Sequence, residues 1–382
     1  MNKNIIFKII EKLDRIISEK RQVGFCSVPD YTDNAYALFK YMVKNNYHKE
    51  YKIVWLISGE PIELQNRIKN EFGIEIECIK KNSIKGMLNY CKSQIVFYTH
   101  GVYGDIKSST GKKRINLWHG MPLKNIGLMD DKQIEDIASQ DYLIATSKEY
   151  QKIMAESFGI DKEKVLLTGQ PRNDLLFEET NYFDKENIDR KQLNKVYIWL
   201  PTYRQSIMGE IRTDGNADDK KVSLLNISSF NKLNEILKEK NEMIILNLHP
   251  MDILNRLEFS TYSNIKIYKS GELASLGVQL YPLIGSCDVL ITDYSSVYID
   301  FDILNKPIIF AMDDFDEYKN SRGFVFDGNI EDYMPGTIIQ TENEFLELIQ
   351  SSKFIRKSSK IKLNEFKDNN SSKRITEYFF NT

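Results

Sequence analysis

The sequence predicts an α/β protein with two doubly wound parallel sheets, and three observations predict it. Short apolar runs recur along the 382 residues. Many are continuous rather than alternating, as in strands covered on both faces. Helical stretches separate many of them, which is the βαβ signature. The first-half runs are "VGFCSV" (23–28), "YKIVWLI" (51–57), "IEIECI" (74–79), "QIVFYT" (94–99), "RINLWH" (114–119), "YLIAT" (142–146) and "VLLTG" (165–169). The second half carries "VYIWLPT" (196–202), "MIILNLH" (243–249), "IKIYK" (265–269), "DVLIT" (288–292) and "PIIFAM" (307–312). Between them "DNAYALFKYMVKNN", "SIKGMLNYCKS" and "LNEILKEKN" space their apolar residues as helices do.

The polar stretch "FEETNYFDKENIDRKQLNK" (177–195) separates the two sets of strands. The expected organisation is a Rossmann-like domain over 1–190, a second over 191–350, and a helical basic tail over 351–382. "RQSIMGEIRTDGNADDKK" (204–221) reads as a mobile loop in the second half. Two such domains facing each other define a cleft, and ligands of open α/β sheets sit beyond the carboxyl ends of the strands.

Composition narrows the function. A net charge of −2 lacks the basic excess of nucleic-acid binders. The four cysteines, Cys26, Cys78, Cys91 and Cys287, form no CxxC pair and suit a reduced, cytosolic protein. The opening residues show no signal peptide and no run near the roughly 20 apolar residues that span a bilayer. They do form an amphipathic pattern, with Ile6, Ile9, Ile10, Leu13, Ile16 and Ile17 on one face. That face either packs on its own domain or lies on an anionic membrane surface.

The chemistry-bearing residues follow strand ends. His119, in "NLWHGMPLKNIG", and His249, in "LNLHP", end strand patterns in opposite halves. Histidine titrates near neutrality, so each suits proton transfer or a phosphate contact, and each also suits a structural role. His100 reads as a structural or loop residue and His48 as a surface residue. "LPTYR" brings Thr202 and Arg204 to a strand tip, and "GQPRND" does the same for Arg172; a guanidinium binds phosphate through its planar fork or forms a surface ion pair. In "TDYSS", Asp293, Ser295 and Ser296 stand between a buried strand and a helix start. There they either cradle a phosphate or simply cap the helix. The sequence has no GxGxxG, no Walker motif and no zinc ligand set, so no cofactor or metal is expected.

Taken in order, "WHGMPLKNIG", "GQPRNDLL", "LPTYR", "HP" and "TDYSSVYIDFDILNKPIIF" resemble the CDP-glycerol glycerophosphotransferase family of teichoic-acid primases, polymerases and capsule-forming relatives. "YTDNAYALFKYM" is similar to that family's N-terminal domain, so the resemblance spans roughly residues 24 to 350. It implies a GT-B fold, with the donor held mostly by the C-terminal domain. It implies attack of an acceptor hydroxyl on the β-phosphorus of CDP-glycerol or a similar CDP-polyol, with CMP leaving. By motif, His119 is the implied general base and His249 the residue supporting the donor's phosphates. Ser295 and Ser296 would hold the diphosphate and Asp300 would orient the donor. Gly120, Met121, Pro122, Leu123, Arg172, Pro201, Thr202, Asn247 and Leu248 would line the donor site. The implied partners are the CDP-polyol and a lipid-linked or glycan acceptor at the inner membrane face, with peripheral membrane contact and no nucleic acid. Met121 replaces the family's usual threonine, and Asn247 and Leu248 stand where a basic residue is common, which leaves the polyol open. Without the long N-terminal extension of larger polymerases, the chain resembles a compact primase, short polymerase or capsule enzyme. The alternatives are a GT-B nucleotide-sugar glycosyltransferase and a non-catalytic nucleotide-binding partner of a polymer-assembly complex.

Overall fold

A computed structural model describes residues 3–103, 109, 111–130, 139–202, 221–249, 252–256, 258–313 and 323–380. The chain forms two compact units. The first comprises Met1–Met121, Ile126–Leu175 and Asp368–Thr382; the second comprises Pro122–Asn125 and Leu176–Lys367. The division at Leu175 falls earlier in the chain than the expected 190. The stretch 351–382 is shared between the units rather than forming a separate tail.

In the first unit the strands are β1 (Lys20–Cys26), β2 (Lys52–Ile57), β3 (Glu77–Lys80), β4 (Ser93–Tyr98), β5 (Lys113–Asn116), β6 (Tyr142–Ala145) and β7 (Val165–Leu167). They form one parallel sheet in the order β3-β2-β1-β4-β5-β6-β7. The strand order reverses between β1 and β4, which is the switch point where ligands of such sheets bind.

The continuous apolar runs have the expected cause. Register aligns Phe25 with Trp55 on one side and Phe97 on the other. Their rings stack at 5.3 and 5.5 Å across the sheet, and Phe39 of the helix Asp33–Lys44 meets Phe25 and Trp55 edge-on. The alternate residues Cys26, Leu56, Val96 and Tyr98 point to the opposite face, where they pack with Ile10 of the N-terminal helix Lys3–Ile16. That helix therefore packs on its own unit, although Ile9 and Ile16 of its expected apolar face remain exposed. The C-terminal helix Ser371–Phe380 joins the same unit. Phe379 meets Phe97 and Tyr142, and the Asp174 carboxylate accepts the Ser371 and Ser372 amides at 2.9 and 2.8 Å. This packing draws the end of the chain back to the first unit.

The second unit's main sheet contains β8 (Lys195–Trp199), β11 (Glu242–Asn247), β12 (Ile265–Tyr268), β13 (Val289–Thr292), β14 (Ile308–Ala311) and β15 (Thr337–Ile339). Its order is β12-β11-β8-β13-β14-β15, again parallel and again reversing beside the unit's first strand, between β8 and β13. Tyr197, Trp199, Ile244, Leu246, Ile291 and Ile309 pack with Phe230, Leu233 and Leu237 of the helix Phe230–Glu239 and with Phe345 of the helix Glu342–Ser351. A short antiparallel pair, β9 (Lys221–Val222) with β10 (Leu225–Asn226), lies apart from that sheet. The expected loop lies outside the described residues except for Lys221, which is part of β9. Among the described residues no helix is long and apolar enough to cross a membrane.

Candidate active site

Both switch points carry residues singled out from the sequence. In the first unit β4 runs into Thr99 and His100, and its neighbour β5 runs into Leu117, Trp118 and His119. The expected strand 114–119 stops at Asn116, so His119 sits in a turn beyond the strand. The turn is held in an unusual backbone shape. Trp118 has φ of +49°, a region that costs a bulky residue energy, and its amide donates to Asn116 Oδ1 at 2.9 Å. Gly120 follows at φ +139°, where a side chain would be strained.

Asn34 holds this turn in place. Its side-chain nitrogen donates to the carbonyls of Leu117 at 3.0 Å and Trp118 at 2.9 Å, while its oxygen accepts the Arg172 amide at 3.0 Å. Arg172 then donates from Nη1 to the His119 carbonyl at 2.7 Å and to Asp33 Oδ1 at 3.0 Å. A fully buried amide that satisfies two carbonyls is costly to lose. Asn34→Ala is expected to destabilise the unit by about 1–3 kcal/mol for each group left unpaired. Urea unfolding measures this, and an unchanged midpoint would remove Asn34 from the support of the turn.

The His119 ring lies between two others. His100 stacks on it with centroids 4.1 Å apart and planes 4° apart, and Trp118 lies 4.0 Å away, tilted by 35°. His119 Nδ1 is buried without a hydrogen-bond partner among the described residues. Burial, reinforced by His100 and Arg172, pushes the imidazole down to about 4, against the opposing pull of Asp33 and the Thr99 backbone. His119 is therefore neutral at pH 7 and keeps a lone pair available, as a general base requires.

In the second unit the switch point brings together the ends of "LPT" and "TDYSS". Both Asp293 oxygens accept the Thr202 amide, each at 3.0 Å, and the Thr292 hydroxyl donates to the Leu200 carbonyl at 2.7 Å. Asp293 is fully buried, so its carboxylate ties two strand ends together. Ser295 and Ser296 are half-buried. They precede a helix of only five residues, Val297–Phe301, and Ser295 Oγ accepts the Val297 amide at 3.4 Å. Asp300, on that helix, is fully buried and accepts the Tyr281 hydroxyl at 2.7 Å. Asn247 ends β11; Leu248 and half-buried His249 follow it. The His249 carbonyl accepts the Asp252 amide and the Asn255 side chain, each at 2.9 Å.

The remaining expected residues divide between the units. Gly120 and buried Met121 belong to the first with His119 and Arg172. Pro122 and Leu123 belong to the second, where the Val325 amide donates to the Leu123 carbonyl at 3.0 Å. Pro201 is buried and Thr202 half-buried. Arg204 lies outside the described residues. The sequence does not single out Asn34, Asp33 or Tyr281; His100, read there as a structural or loop residue, stacks on His119. Only "TDN" ahead of an apolar helix hinted at Asn34 and Asp33.

A sequence model described as CDP-Glycerol:Poly(glycerophosphate) glycerophosphotransferase matches residues 9–381. The chain belongs to that family. Among relatives of this glycerophosphotransferase-family chain, the teichoic acid poly(glycerol phosphate) polymerase of Staphylococcus epidermidis is 29% identical over 337 residues. That match covers 81% of this chain but only 42% of the polymerase, so the chain spans less than half its length. The teichoic acid glycerol-phosphate primase of Bacillus subtilis is 31% identical over 288 residues, covering 70% of this chain and 68% of the primase. The structure of the wall teichoic acid polymerase TagF superposes with a TM-score of 0.69 at 22% identity, covering 98% of this chain and 92% of that one. The fold is GT-B, with the two parallel-sheet α/β units that the family resemblance implies.

Proposed function

We propose that the chain transfers glycerol phosphate, or a similar polyol phosphate, from CDP-glycerol or a related CDP-polyol to a hydroxyl of a lipid-linked or glycan acceptor. The step belongs to teichoic acid or capsule-type polymer synthesis. The observation that carries the reading is the neutral imidazole of His119, with a nitrogen unpartnered among the described residues, just beyond a strand end beside the first unit's switch point.

In this reaction the acceptor oxygen forms a bond to the β-phosphorus as the bond to the CMP oxygen breaks. His119 takes the hydroxyl proton, and His249 supports charge gathering on the departing phosphate. Ser295 and Ser296 hold the diphosphate. Positioning and charge stabilisation carry most of phosphoryl transfer, so a cradle of this kind suits the chemistry. Asp293 and Asp300 act through Thr202 and Tyr281 on this reading, setting the shape of the donor site. Arg172 acts through the His119 carbonyl, fixing the base. The enzyme works without a metal, in the cytoplasm, in peripheral contact with the inner membrane face where a lipid-linked acceptor resides.

Incubation with CDP-glycerol, CDP-ribitol and UDP-sugars, each with a lipid-linked acceptor and with or without EDTA, tests the reading. Acceptor-dependent CMP release insensitive to EDTA is expected. Release of UDP alone would make the chain a nucleotide-sugar glycosyltransferase, and binding without turnover would make it a non-catalytic partner.

A further inference from the structure

We propose that His100 is a positioning residue for His119, stacked face to face on it at the first unit's switch point so that it fixes the plane of the catalytic ring. The inference deepens the reading of His119 as general base and rests on it.

The geometry is specific. His100 follows β4, one of the two strands between which the sheet order reverses, and His119 follows the adjacent strand β5. The rings lie 4.1 Å apart and within 4° of parallel, while Trp118 covers His119 at 4.0 Å. His100 is itself anchored. Its Nδ1 is hydrogen-bonded to the Thr99 hydroxyl at 2.8 Å, and that hydroxyl accepts the Val28 amide from the loop after β1 at 3.3 Å. The loops after β1 and β4 thus hold one ring, and that ring holds the next. Parallel stacking forbids a hydrogen bond between the two imidazoles, so His100 does not relay the proton. Its effect is steric and electrostatic.

The electrostatic part follows from the groups that face the pair. Asp33, at the start of the helix Asp33–Lys44, favours protonation of both rings. Arg172, from the short helix Pro171–Asp174, opposes it at His119, and Lys81, after β3, opposes it at His100. Burial is the largest influence on each ring and lowers both. Two stacked imidazoles also resist carrying two charges at once. His100 therefore helps to keep His119 neutral down to acid pH. A misplaced ring matters because a displacement of about 1 Å can cost about 100-fold in rate.

The test uses the full chain with His100→Ala and His100→Phe. The first removes the stacking surface; the second keeps it and removes the charge. The expected kcat of His100→Ala falls by about 10- to 100-fold with KM for CDP-glycerol nearly unchanged, and His100→Phe recovers most of it. NMR titration of the imidazole carbons reads the second effect without turnover. The His119 titration is expected to move up in both variants, further in His100→Ala, where water reaches the ring. A merely structural role for His100 would lower the melting temperature without moving that titration. An unmoved His119 titration in folded His100→Ala, or a His100→Phe enzyme no better than His100→Ala, overturns the proposal. Full activity in His119→Gln would instead remove the base assignment, leaving the titration to decide whether His100 acts on His119.

Discussion

Replacing His119 by glutamine lowers kcat by about 10²–10⁴-fold, the contribution expected of a positioned general base. Glutamine keeps much of the ring's volume and one hydrogen-bonding nitrogen, so the turn between Asn116 and Gly120 should survive. What it loses is a nitrogen able to take and release a proton. The pH profile separates this loss from a packing effect. Because a general base acts in its neutral form, kcat/KM of the parent enzyme should be full above the His119 pKa of about 4 and should fall as pH drops through it. In the glutamine variant that acid limb should vanish. A glutamine variant with near-normal kcat and the parent's acid limb would take His119 out of the mechanism.

Asp14→Ala unfolds the first unit at a markedly lower temperature. Asp14 lies on the N-terminal helix with its side chain 1% exposed, and it faces Arg114 at 2.9 Å and Lys112 at 3.2 Å, both equally buried. Its second oxygen accepts the Ser109 amide at 3.0 Å. Arg114 also donates to the Ser93 carbonyl at 3.1 Å and lies over the Tyr90 ring at 4.3 Å, so the cluster joins the helix to β4 and β5. Removing one partner of a buried pair leaves the other charges uncompensated and costs about 3–5 kcal/mol. For a unit of this size that is a fall in Tm of roughly 6–20 °C. Asp14→Asn keeps several of the hydrogen bonds and should lose less. Calorimetry reads both, and an alanine variant that melts with the parent would show that the cluster contributes nothing to the hold on the helix.

The strands were legible because their cause is local. Twelve apolar runs were expected and each overlaps a strand, since a strand buried on both faces must be apolar along its length. Among the described strands β9, β10 and β15 escaped; β9 and β10, with two residues each, are too short to carry a pattern. Strand ends were less legible. His119 reads as the last residue of "RINLWH", yet the ladder stops at Asn116 because the Asn116 side chain bonds the Trp118 amide and turns the chain. The histidines, the serines of "TDYSS" and Arg172 were visible as chemistry after strand patterns. Their supports were not. Asn34 looks like an ordinary polar residue near a helix start, and its partners at Leu117 and Arg172 lie far away in the chain.

The sequence by itself determined the α/β class, the alternation of strand and helix, and which residue types follow the strands, because apolar period and turn chemistry act between near neighbours. Tertiary structure alone decided the strand order, the return of the C-terminal helix to the first unit, and the stacking of His100 on His119. Those depend on which surfaces remain to be buried once each element has formed. A buried amide such as Asn34, or a ring such as His100, takes its meaning only from the partner that the fold brings to it.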